Sequence, residues 1–235
     1  MRVARVAVPL ALLFWQMAPA PPSDEPPRGG PFRVALAYAT GEWEDATFGC
    51  GGGVQSSTAV PARSGGAKVE FVGEGPLRLT ASAGRWQIDH STGRLSKTFA
   101  GFQVALEDED FGFGAGYVSH PYSKADRTGF ANFYIRFGSR RNEHFIAEVN
   151  PPSETPAMMG TVRMGVGIGN RMERRTSGFV GVAWGPFGQK MGQGVLLADV
   201  GIPVSRSFDL LVRGSAGLGA KTPQWAVGGG LRAVW

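Results

Sequence analysis

The stretch Ala226 to Trp235, AVGGGLRAVW, decides how the rest of the chain is read. Counting back from its end, alternate positions are Trp235, Ala233, Leu231, Gly229, Val227 and Trp225. The intervening set is Val234, Arg232, Gly230, Gly228 and Ala226. One face is apolar and bounded by tryptophans, while the other carries small residues and a single Arg. A period of two with unlike faces marks a β-strand, because successive side chains leave the backbone on opposite sides.

The same pattern recurs upstream. From Phe32 onward, alternating segments of about 8 to 10 residues are separated by turns, and no helical period appears. About twelve strands are expected, near 31–41, 66–74, 77–86, 99–107, 111–119, 129–138, 144–150, 160–169, 178–185, 194–203, 208–217 and 225–235. In one, Ala131, Phe133, Ile135 and Phe137 share a face against Asn132, Tyr134 and Arg136. In another, Val162, Met164, Val166 and Ile168 oppose Thr161, Arg163, Gly165 and Gly167. In a third, Phe208, Leu210, Val212, Gly214 and Ala216 oppose Asp209, Arg213 and Ser215. Joins such as Gly75-Pro76, Glu107–Asp110 and Ser205–Ser207 are short. Those at Gly41–Gly65, Ile88–Lys97, His120–Gly129 and Pro151–Met159 are longer and richer in Gly, Pro and polar residues. The join Asn170–Ser177 is longer than this alternation asks for.

Composition agrees with one all-β domain. The 235 residues include 36 glycines, and charged residues are 18%, below the roughly 25% of soluble domains. A hydrophobic content of 43% argues against disorder. Past the N-terminus no apolar run approaches the roughly 20 residues of a spanning helix. Arg2 and Arg5, the apolar run Val6–Trp15 and the small residues Ala18-Pro-Ala20 read as a secretory signal over 1–20. A Pro-rich linker follows over 21–30, and the barrel occupies 31–235. Losing Arg2 and Arg5 lowers the formal charge from +5 to +3, so the basic balance does not point to nucleic acid. Cys50, the only cysteine, sits among glycines and reads as an incidental thiol.

The closing stretch resembles the C-terminal strand of Gram-negative outer-membrane β-barrels, which ends in Phe or Trp with apolar residues at every second position before it. The alternation of short and long joins fits that class. The resemblance implies a closed antiparallel transmembrane β-barrel in the outer membrane, monomeric, in contact with outer-membrane lipids and recognised by the barrel-assembly machinery through its last strand. Three features of the sequence favour this over a soluble barrel of opposite polarity. The polar faces are rich in Gly, Ala, Ser and Thr rather than Lys, which suits a crowded lumen better than a solvated surface. They carry one or two charges per strand, of both signs: Arg33, Lys68, Glu70, Arg78, Glu107, Arg136, Glu148, Arg163, Asp199, Arg213 and Arg232. Such groups inside a narrow barrel must pair or hold water. Aromatics gather near strand ends (Phe32, Trp86, Phe99, Phe111, Tyr117, Phe130, Phe137, Phe179, Trp184, Phe208, Trp225 and Trp235), as interfacial girdles do.

Chemistry-bearing motifs are few. Of the three histidines, His90 neighbours Ser91 in a polar turn sequence, and His120 stands three residues before Ser123. Outer-membrane lipases pair Ser with His at the lipid-facing rim, so both pairs are candidates for lipid hydrolysis, although a polar turn is the simpler reading of the first. His144 falls near the periplasmic rim. The glycine strings Gly112–Gly116 and Gly165–Gly169 lack the following helix and the Lys-Ser/Thr of a phosphate loop. No cluster has metal-ligand spacing, and no cofactor is expected. The acidic run Glu107–Asp110 and the basic run Arg171–Arg175 read as turns. The expectation is a non-enzymatic small pore or structural membrane protein with a charged lumen. The alternatives are a lipid hydrolase using a rim Ser/His pair, and a secreted soluble barrel binding a small apolar ligand.

Overall fold

Twelve strands follow one another, with no helix among the described residues, in the computed structural model, which describes residues 31–48, 54–72, 75–90, 93–119, 129–138, 143–155, 162–168, 177–184, 194–218 and 225–235. They are β1 (Phe32–Phe48), β2 (Val54–Val72), β3 (Leu77–His90), β4 (Gly93–Glu107), β5 (Phe111–Ser119) and β6 (Gly129–Phe137). There follow β7 (His144–Val149), β8 (Val162–Ile168), β9 (Ser177–Trp184), β10 (Gly194–Pro203), β11 (Phe208–Leu218) and β12 (Trp225–Val234). Each pairs antiparallel with its sequence neighbours, and β12 pairs with β1, so the sheet closes into a barrel. Closure leaves no edge strand with unpaired backbone groups. At the seam Arg33 lies opposite Val234 and Glu42 opposite Trp225. The Phe32 amide donates to the Trp235 carbonyl at 3.0 Å, and the reverse bond measures 3.1 Å.

Polarity is inverted relative to a water-soluble barrel. Leu36 is 60% exposed, Phe133 54% and Leu231 55%, and the outward positions beside them are also large and apolar. Phe32, Phe71, Phe111, Phe137, Phe145, Phe208 and Trp235 lie where their strands meet the chain termini or the short turns, and Tyr38, Tyr117 and Trp225 lie towards the opposite end. Inward positions are small or polar. On β1 they are Arg33, Ala35, Ala37, Ala39 and Gly41, facing Gly228 and Gly230 across the seam. A Cβ at Gly230 would lie 2.1 Å from the Leu36 carbonyl oxygen, so the curvature at closure requires glycine there.

Two expected loops are strand instead. Gly41–Gly65, apart from residues 49–53, which lie outside the described set, continues β1 and β2 into a long hairpin, with Glu42 opposite Pro61 and Thr40 opposite Arg63. Ile88–Lys97 belongs to β3 and β4 apart from residues 91–92, which lie outside the described set. Outward residues on the second hairpin turn polar above Ala83: Arg85 donates to Ser96 at 2.7 Å, and Arg94 to Asp89 at 2.7 Å. There the strands stand clear of the apolar belt, and the sidedness reverses: the outward face is polar, while the inward face carries the buried Trp86 and Ile88. The signal region, the linker and the join Asn170–Ser177 fall outside the described residues, save Ser177, which opens β9.

Candidate functional site in the barrel lumen

Strand parity sets which side chains meet inside. Arg33, Lys68, Glu70, Arg78, Glu107, Arg136, Glu148, Arg163, Asp199, Arg213 and Arg232 occupy inward positions, and their charges are joined into chains of ion pairs. Glu70, 2% exposed, is the hub of the largest. Its carboxylate accepts from Arg78 at 2.8 Å and Lys68 at 3.1 Å, with Arg33 at 3.7 Å. Arg78 reaches on to Glu107 at 3.1 Å and lies 5.8 Å from the Tyr134 ring centre. Arg136 stands 3.4 Å from Glu107 and also donates to the carbonyls of Asp108, Glu109, Phe111 and Gly138. It thereby ties the β4–β5 turn to the end of β6, satisfying turn carbonyls that the ladder leaves over. Arg163 pairs with Glu148 and lies 5.3 Å from the Phe179 ring centre. Arg232 donates to Asp209 at 2.9 Å.

Two lumen acids were not among those expected. Asp209 shares the parity of Arg213 on β11, and that parity was the signal for it. Glu154 had no such signal, because it belongs to the join after β7. Residues 151–155, expected as part of an outer loop, instead fold into the barrel, and all five are buried. Asn150 turns the chain inward with a left-handed φ of 47°, and its side-chain amide donates to the Ala131 carbonyl at 3.0 Å. Glu154, 1% exposed, then accepts from Arg213 at 2.9 Å, and Thr155 Oγ1 accepts from the same nitrogen at 3.0 Å. Arg213 also donates to Asp199 at 3.2 Å. With Asp209 and Glu154 included, seven cations face six anions. Between them remains a cavity of about 10 Å³, room for about one water.

The rest of the lumen holds uncharged polar side chains, among them Gln103, which donates to Asn132 at 3.2 Å, and two apolar clusters. Trp86, Ile88, Phe99, Val60 and Ala62 pack together on β2–β4, and Phe179, Ala183 and Leu197 on β9–β10. Trp86, Phe99 and Phe179 are therefore interior residues and not members of an interfacial girdle. Their parity matches that of Arg78, Glu107 and Gly181, so they fill the barrel from within.

Of the expected chemical candidates, His90 is the last residue of β3, while Ser91, His120, Ser123 and Cys50 lie outside the described residues. His144 opens β7, and its imidazole lies over Gly167, where a Cβ would come within 2.3 Å of Nε2. Gly112–Gly116 lie in β5, and Gly165 and Gly167 in β8. Among the described residues no group of His, Cys, Asp and Glu is arranged to hold a metal ion. On the protruding hairpin, the hydrogen bond from Arg94 holds the Asp89 carboxyl below its ordinary range; slight desolvation opposes this, and a second bond from Arg63 at 3.1 Å adds to it.

No protein-family model matches the chain, and no curated protein matches it. Among solved structures, the outer membrane phospholipase A from Escherichia coli is similar over 87% of this chain and 94% of that one, at 10% identity and a TM-score of 0.41. The β domain of the Bordetella autotransporter BrkA is similar over 88% of this chain and all of that one, at 13% identity and a TM-score of 0.29. Both are outer-membrane β-barrels, and at these identities the likeness concerns the fold alone.

Proposed function

We propose that this chain is an outer-membrane β-barrel protein of a Gram-negative bacterium, a small non-enzymatic pore whose lumen is shut at rest. The observation that supports this best is the inverted polarity. Large apolar side chains cover the outside, while charges sit paired within. In water such a surface far exceeds the few hundred Å² of apolar patch that monomeric soluble proteins expose. In a bilayer the same surface is the matching solvent, and a closed barrel satisfies every backbone group of its ladder. The aromatic rings at strand ends fit the two interfaces. The secretory signal read at residues 1–20 and the apolar closing strand supply the route: export, then insertion by the assembly machinery. A lumen filled by paired charges, two apolar clusters and residues 151–155 accounts for the closed state.

Cell fractionation tests the location. The mature chain should be recovered with the outer membrane, and in detergent gels it should run faster unheated than boiled, as closed barrels do. Recovery in the soluble periplasmic fraction would overturn the reading. In a planar bilayer the wild-type chain should be nearly silent; a steady large conductance would contradict the shut lumen.

A further inference from the structure

The geometry points to residues 151–155 as a releasable plug whose Glu154 carboxylate occupies an anion site, so that the barrel, once unplugged, conducts small anions in preference to cations. This rests on the membrane-barrel reading and goes beyond it.

Five observations carry it. The inserted segment is Pro-Pro-Ser-Glu-Thr, and its two prolines have no N–H to satisfy inside the lumen. Of the donors that remain, the Thr155 amide is bonded within the segment, to Ser153 Oγ at 3.1 Å. The plug therefore makes few backbone demands on the wall. Its side-chain hydrogen bonds from the wall come from Arg213, to Glu154 and to Thr155. Pro151 and Pro152 are buried as well, but the contacts that hold Glu154 in place are polar, and water and ions can replace those when the segment withdraws.

The site that Glu154 fills is cationic. The cavity beside it is lined by Arg33, Lys68, Arg213 and Arg232 against Glu70 and Asp199. In place, Glu154 brings the lumen close to neutrality. Withdrawn, it leaves seven cations facing five anions on the strands. A narrow passage with an excess of fixed Arg and Lys prefers anions. The vacated guanidinium and ammonium groups suit a chloride or a small carboxylate, the chemistry that Glu154 itself presents.

The experiment is a planar-bilayer recording in a KCl gradient with three full chains. Glu154→Gln weakens the latch and removes the anion. It should open about tenfold or more often than wild type, the factor that one charge-assisted hydrogen bond is worth. Its reversal potential should lie on the chloride side. Arg213→Gln also unlatches the plug but removes a cation, so it should open with a reversal potential shifted towards zero. If Glu154→Gln fails to fold, replacing Ser153, Glu154 and Thr155 together by Gly carries the same expectation. A Glu154→Gln chain that inserts, judged by heat-modifiable mobility, yet stays silent or prefers potassium overturns the inference and leaves the membrane reading intact. If the wild-type chain itself fails to insert, both fall.

Discussion

Glu70→Ala should be among the most damaging single changes in the lumen. The carboxylate is almost fully buried and holds Arg78 at 2.8 Å, Lys68 at 3.1 Å and Arg33 at 3.7 Å. These three cations come from neighbouring strands, with Arg33 directly opposite Glu70 in the β1–β2 register. Removing the anion leaves them facing one another without a counter-charge. Breaking a buried ion pair from one side costs about 3–5 kcal/mol, because the remaining charge stays desolvated. Arg78 keeps Glu107 at 3.1 Å, which places the expected loss at the lower end of that range, about 3 kcal/mol. Glu70→Gln keeps an acceptor oxygen and the shape but loses the charge, so about 2 kcal/mol is expected, the difference between charged and neutral hydrogen bonds summed over its donors. The assay is reversible urea unfolding in lipid vesicles, followed by tryptophan fluorescence. A loss below about 0.5 kcal/mol for the Ala variant, or a Gln variant less stable than the Ala one, would refute the hub role.

Other outcomes follow from the same geometry. Gly230→Ala forces a Cβ to within 2.1 Å of the Leu36 carbonyl at the closing seam, and should cost about 1–3 kcal/mol and lower the temperature at which heat-modifiable mobility is lost. Gly229→Ala, whose Cβ would meet the Leu211 carbonyl oxygen at 3.2 Å, should be much milder; equal effects would contradict the tight seam. Trp86→Ala empties the apolar cluster of Val60, Ile88 and Phe99 and should cost about 3–5 kcal/mol by the same unfolding assay, whereas an interfacial Trp would cost far less. The Asp89 carboxyl should titrate below its ordinary 3.8 by NMR. Because its folded value is depressed, the hairpin contacts to Arg94 and Arg63 persist above that pH and are lost only as the pH falls through the lower folded value; a midpoint at or above 3.8 would remove the ion pairs from the account.

Much of the fold was legible because period-two alternation is imposed wherever one face meets an apolar medium and the other a crowded interior. Ala131–Phe137 shows it most clearly. Legibility failed where that condition lapses. Glu42, Pro61 and Gly65 read as loop, yet they lie in a hairpin that leaves the apolar belt, where the outward face turns to water and inward residues such as Val60 and Ala62 stay apolar. Trp86, Phe99 and Phe179 were assigned to girdles by position along the strand, although the parity of Trp86 with Arg78 and of Phe99 with Glu107 already placed those two inside; β9 carries no charge that could place Phe179. Asp209 was readable in the same way. Glu154 was not, since a segment that folds into a lumen follows the space left by the short strand β7 and obeys no period of its own.

The sidedness of the wall is the central claim, and a cysteine scan through Ala131–Phe137 tests it most directly. Single cysteines, each carrying a small fluorophore in a Cys50→Ser chain reconstituted into vesicles, are exposed to brominated acyl chains. Strong quenching is expected at positions 131, 133, 135 and 137, and little at Asn132, Tyr134 and Arg136. Quenching confined to the second set, or without a period of two, would contradict a barrel that turns its apolar face to lipid.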